Sequence, residues 1–278
     1  MGASGRGGRE MNGPARATAL AGRAAHDVLS SLRFFTRLPL PTRETGPPDW
    51  ARIAWSAPLA GAIVGAIGGV ALVIADELSF PPFLASTFAI AALVLTTGAL
   101  HEDGLADVAD GFGGGSNREA KLAIMRDSRI GVFGAIALVL SLMLRVGALA
   151  ALQREGTGFA FAGLVLANAA ARSGALTPLA WLPPARLDGA GASAGRLDSA
   201  HLVAATLSAV AVAFATGLWS LGVIRALFAC ALAAGSARGL CALARRQIGG
   251  QTGDVAGAAA QLSEVASLCA LLIGGRGA

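Results

Sequence analysis

Apolar residues fall in long blocks separated by short polar connections, and the length of those blocks predicts the elements. Candidate spans cover about 53–75, 83–101, 130–152, 159–181, 202–222, 226–244 and 255–273. Each is close to the ~20 residues a helix needs to cross a bilayer. The predicted fold class is therefore all-α, a polytopic helical integral membrane protein with about seven transmembrane helices. Between 202 and 244, Arg225 interrupts what could be one longer, broken region. Upstream, Ala25, Val28, Leu29, Leu32 and Phe35 recur at helical spacing within 19–38, while Arg23, Asp27, Ser30, Ser31 and Arg37 occupy the remaining positions. That pattern reads either as an N-terminal interfacial helix on the anionic leaflet or as a helix docked beneath the bundle. Residues 1–16 are rich in Gly and Arg and lack the apolar core of a cleavable signal peptide. The expected organisation is a disordered tail over 1–18 and one membrane-embedded domain over 19–278.

Composition agrees with this class. Of 278 residues, 54% are hydrophobic and only 14% are charged, against about 25% charged in soluble domains. The 38 glycines lie mostly within or beside the apolar blocks, and Gly61 and Gly65 form a GxxxG pair suited to close helix packing. The net charge of +5 comes almost wholly from arginine, since Lys121 is the lone lysine. No basic stripe interleaved with aromatics appears, so nucleic acid is not an expected partner. The arginines crowd instead into the N-terminal segment, the 102–129 and 183–200 loops and the Arg245–Arg246 pair. By the positive-inside rule these lie on the cytoplasmic side, and seven spans put the C-terminus outside. Cys230, Cys241 and Cys269 sit in apolar stretches without CxxC spacing, which points to buried small residues rather than a disulfide framework or zinc site.

Chemistry concentrates in the loops of the arginine-rich side. The first begins HEDGLADVADGFGG, and if that backbone is helical, steps of four and three residues set Asp103, Asp107 and Asp110 on one face. Anions roughly 6 Å apart repel by about 3 kcal/mol per pair at an effective dielectric near 20. A cation relieves that strain, and oxygen-only ligands favour Mg²⁺, Mn²⁺ or Ca²⁺ over zinc. The alternative is a solvated hairpin with Asp-Gly turns at Asp103–Gly104 and Asp110–Gly111. The same loop ends in Arg126, Asp127, Ser128 and Arg129, and acids beside arginines suit phosphoryl transfer. Arg186 and Asp188 follow a span ended by Pro183 and Pro184, where an arginine serves either substrate or topology. Arg172 falls inside the fourth span, four residues after Asn168, and Arg145 inside the third. A mid-span arginine costs at least ~2.5 kcal/mol to insert and should face the interior and a partner. The last loop, RRQIGGQTGDVAGA, places Thr252, Gly253 and Asp254 at a helix start, as caps or as ligand contacts. Glu264 lies ten residues further into that span. His101 adjoins the acids and could bond a phosphate or orient Asp103.

The combination HEDGLADVADGFGG, RDSRIGVFGAIALVL, LAWLPPAR and GGQTGDVAGA, with FFTRLPLP around Phe34–Pro41, resembles the cobalamin 5′-phosphate synthase (adenosylcobinamide-GDP ribazoletransferase) family from about residue 28 to the C-terminus. The resemblance implies Mg²⁺-dependent transfer in the last steps of cobalamin biosynthesis. A hydroxyl of α-ribazole or its 5′-phosphate attacks the cobinamide-linked phosphate of adenosylcobinamide-GDP, and GMP leaves. By resemblance, Asp103, Asp107 and Asp110 hold the metal, with His101, Asp127 and Asp254 as catalytic candidates. Arg126, Arg129, Thr252 and Gly253 contact substrate, joined on the reading of their own surroundings by Arg172 and Arg186. The expected location is the bacterial cytoplasmic (inner) membrane, with the site facing the cytoplasm, the lipid bilayer as partner and self-association into a homo-oligomer allowed. A CDP-alcohol phosphotransferase of phospholipid synthesis is the nearest alternative. However, its D-x2-D-G-x2-A-R pattern does not fit, since Asp103 and Asp107 are four apart and Ala106 precedes aspartate. A cation transporter is a further alternative, although transport sites lie near the bilayer midplane on broken helices and these acids gather in one surface loop.

Overall fold

The computed structural model describes residues 13–41, 48–186, 188–189 and 197–273, with side chains from residue 20 onward. Among the described residues ten helices follow one another: α1 (Gly13–Phe35), α2 (Trp50–Glu77), α3 (Pro82–Thr97), α4 (Leu100–Gly114), α5 (Arg118–Ile124), α6 (Val132–Glu155), α7 (Thr157–Trp181), α8 (Ser199–Leu221), α9 (Val223–Ile248) and α10 (Gly253–Ala270). Among the described residues no strand forms. One isolated parallel bridge joins Pro184 to Gln251. The all-α membrane class read from the sequence holds. The disorder expected for residues 1–12 lies outside the described residues, whereas residues 13–18, placed in the same tail, are already helical.

Five helices, α2, α6, α7, α8 and α9, are long and apolar enough among the described residues to cross a membrane, or six if α3 and α4 form one broken span. The seventh expected span, α10, is not in this set. Its inward face carries buried Gln261, Ser263, Glu264 and Ser267, which lower its hydropathy while α7, α9 and α4 enclose it. The region around Arg225 resolves into two helices separated by Gly222, whose φ of +79° breaks the helical path. Arg225 itself pairs bidentately with Glu155 at 2.7 and 2.8 Å.

α7 is the most buried span and forms the axis of the bundle. The GxxxG pair does what its spacing suggested. A Cβ on Gly61 would collide with the Asn168 carbonyl, and one on Gly65 with that of Leu164, so bare glycine lets α2 lie directly on α7. On the outside, α6 leaves Val132, Phe133, Ile136, Val139, Leu140 and Met143 exposed, an apolar surface suited to lipid. α1 docks on the bundle rather than standing apart from it. Its Asp27 accepts from Trp55 Nε1 and pairs with Arg52, and Ser31 bonds Ser56.

A sharp corner positions the chemistry. Gly98 (φ +64°) and Ala99 (φ +57°) are both left-handed, and their amides donate to Leu95 and Val94 carbonyls in a Schellman-type cap. The chain therefore leaves α3 and re-enters helix α4 at 89°. α4 thus turns away from α3 at this end of the bundle, with Glu102 of its first turn reaching Arg145 of α6. The loops before α6, after α7 and before α10 gather at this same end. The loops after α2 and α6 gather at the other, where Thr157 donates to Asp76 at 2.5 Å. The two-sided distribution of loops expected from the arginines is thus reproduced.

Candidate functional site at the α4–α10 junction

The acidic segment is helical through both of its Asp-Gly pairs, which decides against a turn-built hairpin. Its glycines serve packing. A Cβ on Gly104 would sit 2.8 Å from the Asp254 carbonyl, so the absence of a side chain there lets α10 cross directly over α4. That crossing brings Asp254 beside Asp103 and Asp107. The three carboxylates come from positions some 150 residues apart.

The electrostatics report the crowding. Burial, then the charges of Asp103, Asp254 and Asp110, push the Asp107 carboxyl up from its ordinary range to about 7, opposed by Arg186. Burial likewise raises Asp254, offset by Arg186 and the Thr252 hydroxyl. Arg186 Nη2 lies 3.3 Å from Asp254 Oδ2, and Thr252 Oγ1 donates to the same oxygen at 3.1 Å. Thr252 also caps α10 by accepting from the Val255 amide.

Asp110 points elsewhere. Its two oxygens accept from the amides of Gly131 (2.7 Å) and Gly134 (2.9 Å), so it anchors the start of α6. Both glycines are required, because a Cβ on either would strike that carboxylate. The shared helical face was read correctly, but the partners arriving from α6 claim its third acid. Among the described residues no three His, Cys, Asp or Glu side chains converge closely enough to cage a metal ion by themselves.

Backbone pairing fixes the loops around the cluster. The Gln251 amide donates to the Pro183 carbonyl and the Ala185 amide to the Gln251 carbonyl, both at 2.8 Å. Arg118 ties the pair to α9, its Nε on the Ile248 carbonyl and its Nη2 on that of Ala185. Arg186 is thereby delivered to the acids, as the sequence allowed.

Two clefts open from Asp103. One, of about 440 Å³, is lined by Asp107, Arg126, Asp127, Ser128 and Arg129 among others. Here Arg126 grips Asp188 at 2.6 and 2.8 Å, and Arg129 grips Asp127 at 2.6 Å. The Arg129 guanidinium holds the Asp127 carboxyl down at about 2. Asp127 is thus an orienting partner for Arg129 and a weak base. The other cleft, about 150 Å³, is lined by Phe34, Phe35, Trp50, Leu176, Leu179, His101, Asp103, Gly253 and Asp254 among others. Sequence reasoning missed the role of these aromatics, Gly104, Arg118 and Asp188. The FFTRLPLP segment was the available signal for the first of them.

Behind the clefts lies a buried ionic core. Arg145 bonds Glu102 Oε1 at 2.7 Å and Glu264 Oε1 at 3.0 Å, and all three side chains are at most 9% exposed. The mid-span arginine thus faces inward and finds partners. Arg172 does likewise, donating to Asn168 Oδ1 at 2.7 Å one turn away, with its guanidinium 5.8 Å from the Phe35 ring centroid. At 1% exposure it supports the cleft from behind and lines neither opening. His101 is 4% exposed.

A family model described as cobalamin-5-phosphate synthase matches residues 27–272. The adenosylcobinamide-GDP ribazoletransferase of Xanthobacter autotrophicus is 48% identical over 267 residues, covering 90% of this chain and 97% of that protein. The protein of that name from Azorhizobium caulinodans is 45% identical, covering 89% and 95%. That of Rhizobium etli is 43% identical, covering 89% and 96%. No solved structure matches the chain.

Proposed function

The chain belongs to the cobalamin-5-phosphate synthase family, and on that premise we propose that it is an adenosylcobinamide-GDP ribazoletransferase. It joins α-ribazole or its 5′-phosphate to adenosylcobinamide-GDP and releases GMP. The observation that carries this reading is the junction of Asp103, Asp107 and Asp254, a carboxylate cluster set between an arginine-lined and an aromatic cleft at one end of a membrane bundle. Phosphoryl transfer between two large substrates needs such a meeting point.

In the proposed reaction the acceptor hydroxyl forms a new P–O bond to the cobinamide-linked phosphorus. The phosphoanhydride bond breaks, and its bridging oxygen departs on GMP. Asp254 receives the hydroxyl proton. Burial raises its basicity, while Thr252 and Arg186 fix its orientation. Asp127 is unsuited to that task because Arg129 holds it ionised. Arg126 exchanges Asp188 for phosphoryl oxygens when the donor enters, with the bidentate geometry that guanidinium offers, while Arg129 keeps Asp127 and adds its positive charge beside them. Asp103 and Asp107 are the groups to hold Mg²⁺, which would neutralise diphosphate charge when bound. The donor set fits that ion. Mg²⁺ is commonly bound by one or two carboxylates plus substrate phosphates rather than by a complete protein cage, and Asp107 lies partly buried among the charges of Asp103, Asp254 and Asp110.

The arginine-rich loops lie at the same end as this cluster, which supports a cytoplasm-facing site in a bacterial inner membrane. The test uses purified protein in detergent with Mg²⁺. GMP should appear only when both adenosylcobinamide-GDP and α-ribazole or its phosphate are present, in equal amount to the joined corrinoid. GMP release that ignores the acceptor, or no release with either acceptor, would overturn the reading.

A further inference from the structure

The smaller cleft has a composition that the acidic cluster alone does not require. Its wall is aromatic in a chain whose aromatic content is only 5%. Phe34 and Trp50 meet edge to face with centroids 4.7 Å apart, and Phe35 lies 5.0 and 5.8 Å from them. Leu176 and Leu179 of α7 complete the apolar part. The polar side chains of its lining are Asp103, Asp254 and His101, the first two beside one another. The His101 Nε2 is buried with no hydrogen-bond partner, so a polar group in the cleft would satisfy it.

Resting on the ribazoletransferase reading, we propose that this cleft is the acceptor subsite. It takes the planar base of the ribazole nucleoside against Phe34 and Trp50 and directs the ribose hydroxyls to Asp103 and Asp254. Three features favour that occupant. An uncharged bicyclic base matches an aromatic wall and gains from edge and face contacts that a flexible chain does not use. A ribose matches those polar side chains. The diphosphate carried by the corrinoid belongs with the arginines of the other cleft, which leaves this one to the acceptor. The two substrates thus meet at Asp103, which lines both clefts.

The test compares Michaelis constants in the full-length enzyme, varying α-ribazole at saturating donor and the reverse. Phe34→Leu removes an aromatic face, and Leu100→Trp narrows the mouth. Both positions are about 40% exposed and tolerate substitution. The expected result is a rise of ~10-fold or more in KM for α-ribazole, the scale of losing one base–aromatic stack, with KM for the donor within twofold. Unchanged α-ribazole KM in both variants, or a rise confined to the donor, overturns the proposal. Equilibrium dialysis of α-ribazole alone separates this from failure of the functional reading. Even if the wild type released no GMP, retention lost in both variants would support the subsite, and equal retention would overturn it.

Discussion

Replacing Arg145 by methionine removes the cation that hydrogen-bonds both Glu102 and Glu264 inside the protein. Neither is more than 9% exposed, and Arg145 donates to both at 2.7–3.1 Å. Breaking a buried pair by removing one partner costs about 3–5 kcal/mol, chiefly because the remaining charge stays desolvated. Here two carboxylates lose one shared partner, while the charge of Arg172 still acts on both, so the same range applies. The assay is unfolding in mixed micelles of rising SDS fraction, followed by circular dichroism. Arg145→Met should unfold about 3–5 kcal/mol more easily than wild type. Adding Glu264→Gln to that variant should recover ~1–2 kcal/mol, since an amide costs less to bury than an orphaned charge. The consequence reaches the site, because Glu102 precedes Asp103 on α4 and Glu264 lies on the helix that begins with Asp254. Stability within ~1 kcal/mol of wild type, or no recovery in the double variant, would refute the reasoning.

Two other substitutions separate neighbouring roles. Gly104→Val would drive a side chain into the Asp254 backbone, displacing α10 from α4, and should lower kcat at least tenfold while the protein still elutes as a folded species from size exclusion. Asp110→Asn should cost about 1–2 kcal/mol of stability by weakening two charge-assisted bonds at the start of α6, yet leave the half-saturating Mg²⁺ concentration of GMP release unchanged. A large rise in that concentration would return Asp110 to the ligand set.

The architecture was largely legible because it depends on local patterning. Block length predicted the spans, arginine placement sorted the loops into two ends, and the spacing of Gly61 and Gly65 marked a closely packed face, which the fold sets against α7. α10 escaped that logic, since inward-facing Gln261 and Glu264 are paid for by tertiary partners that hydropathy does not see. At the site, a four-then-three spacing placed three aspartates on one helical face, but only the fold decides what each meets. Asp110 is claimed by amides more than twenty residues downstream, and its place beside Asp103 and Asp107 is taken by Asp254. Arg126 and Arg129 were recognisable as phosphate-binding types. Their resting pairs differ in legibility. Asp127 with Arg129 is a two-residue step that sequence could suggest, while Asp188 with Arg126 depends on two loops being zipped together. The aromatic wall was present only as a run of letters, because three rings from α1 and α2 become a cleft through packing on α7.

The decisive measurement is the rate of GMP release against Mg²⁺ concentration for purified wild type, Asp107→Asn and Asp254→Asn. The proposed mechanism predicts no turnover in wild type after chelation, full recovery on adding Mg²⁺, and a loss of at least a hundredfold in each variant although α4 and α10 remain folded. Wild-type turnover in the chelated enzyme, or in both variants, would contradict a shared carboxylate site at the α4–α10 junction.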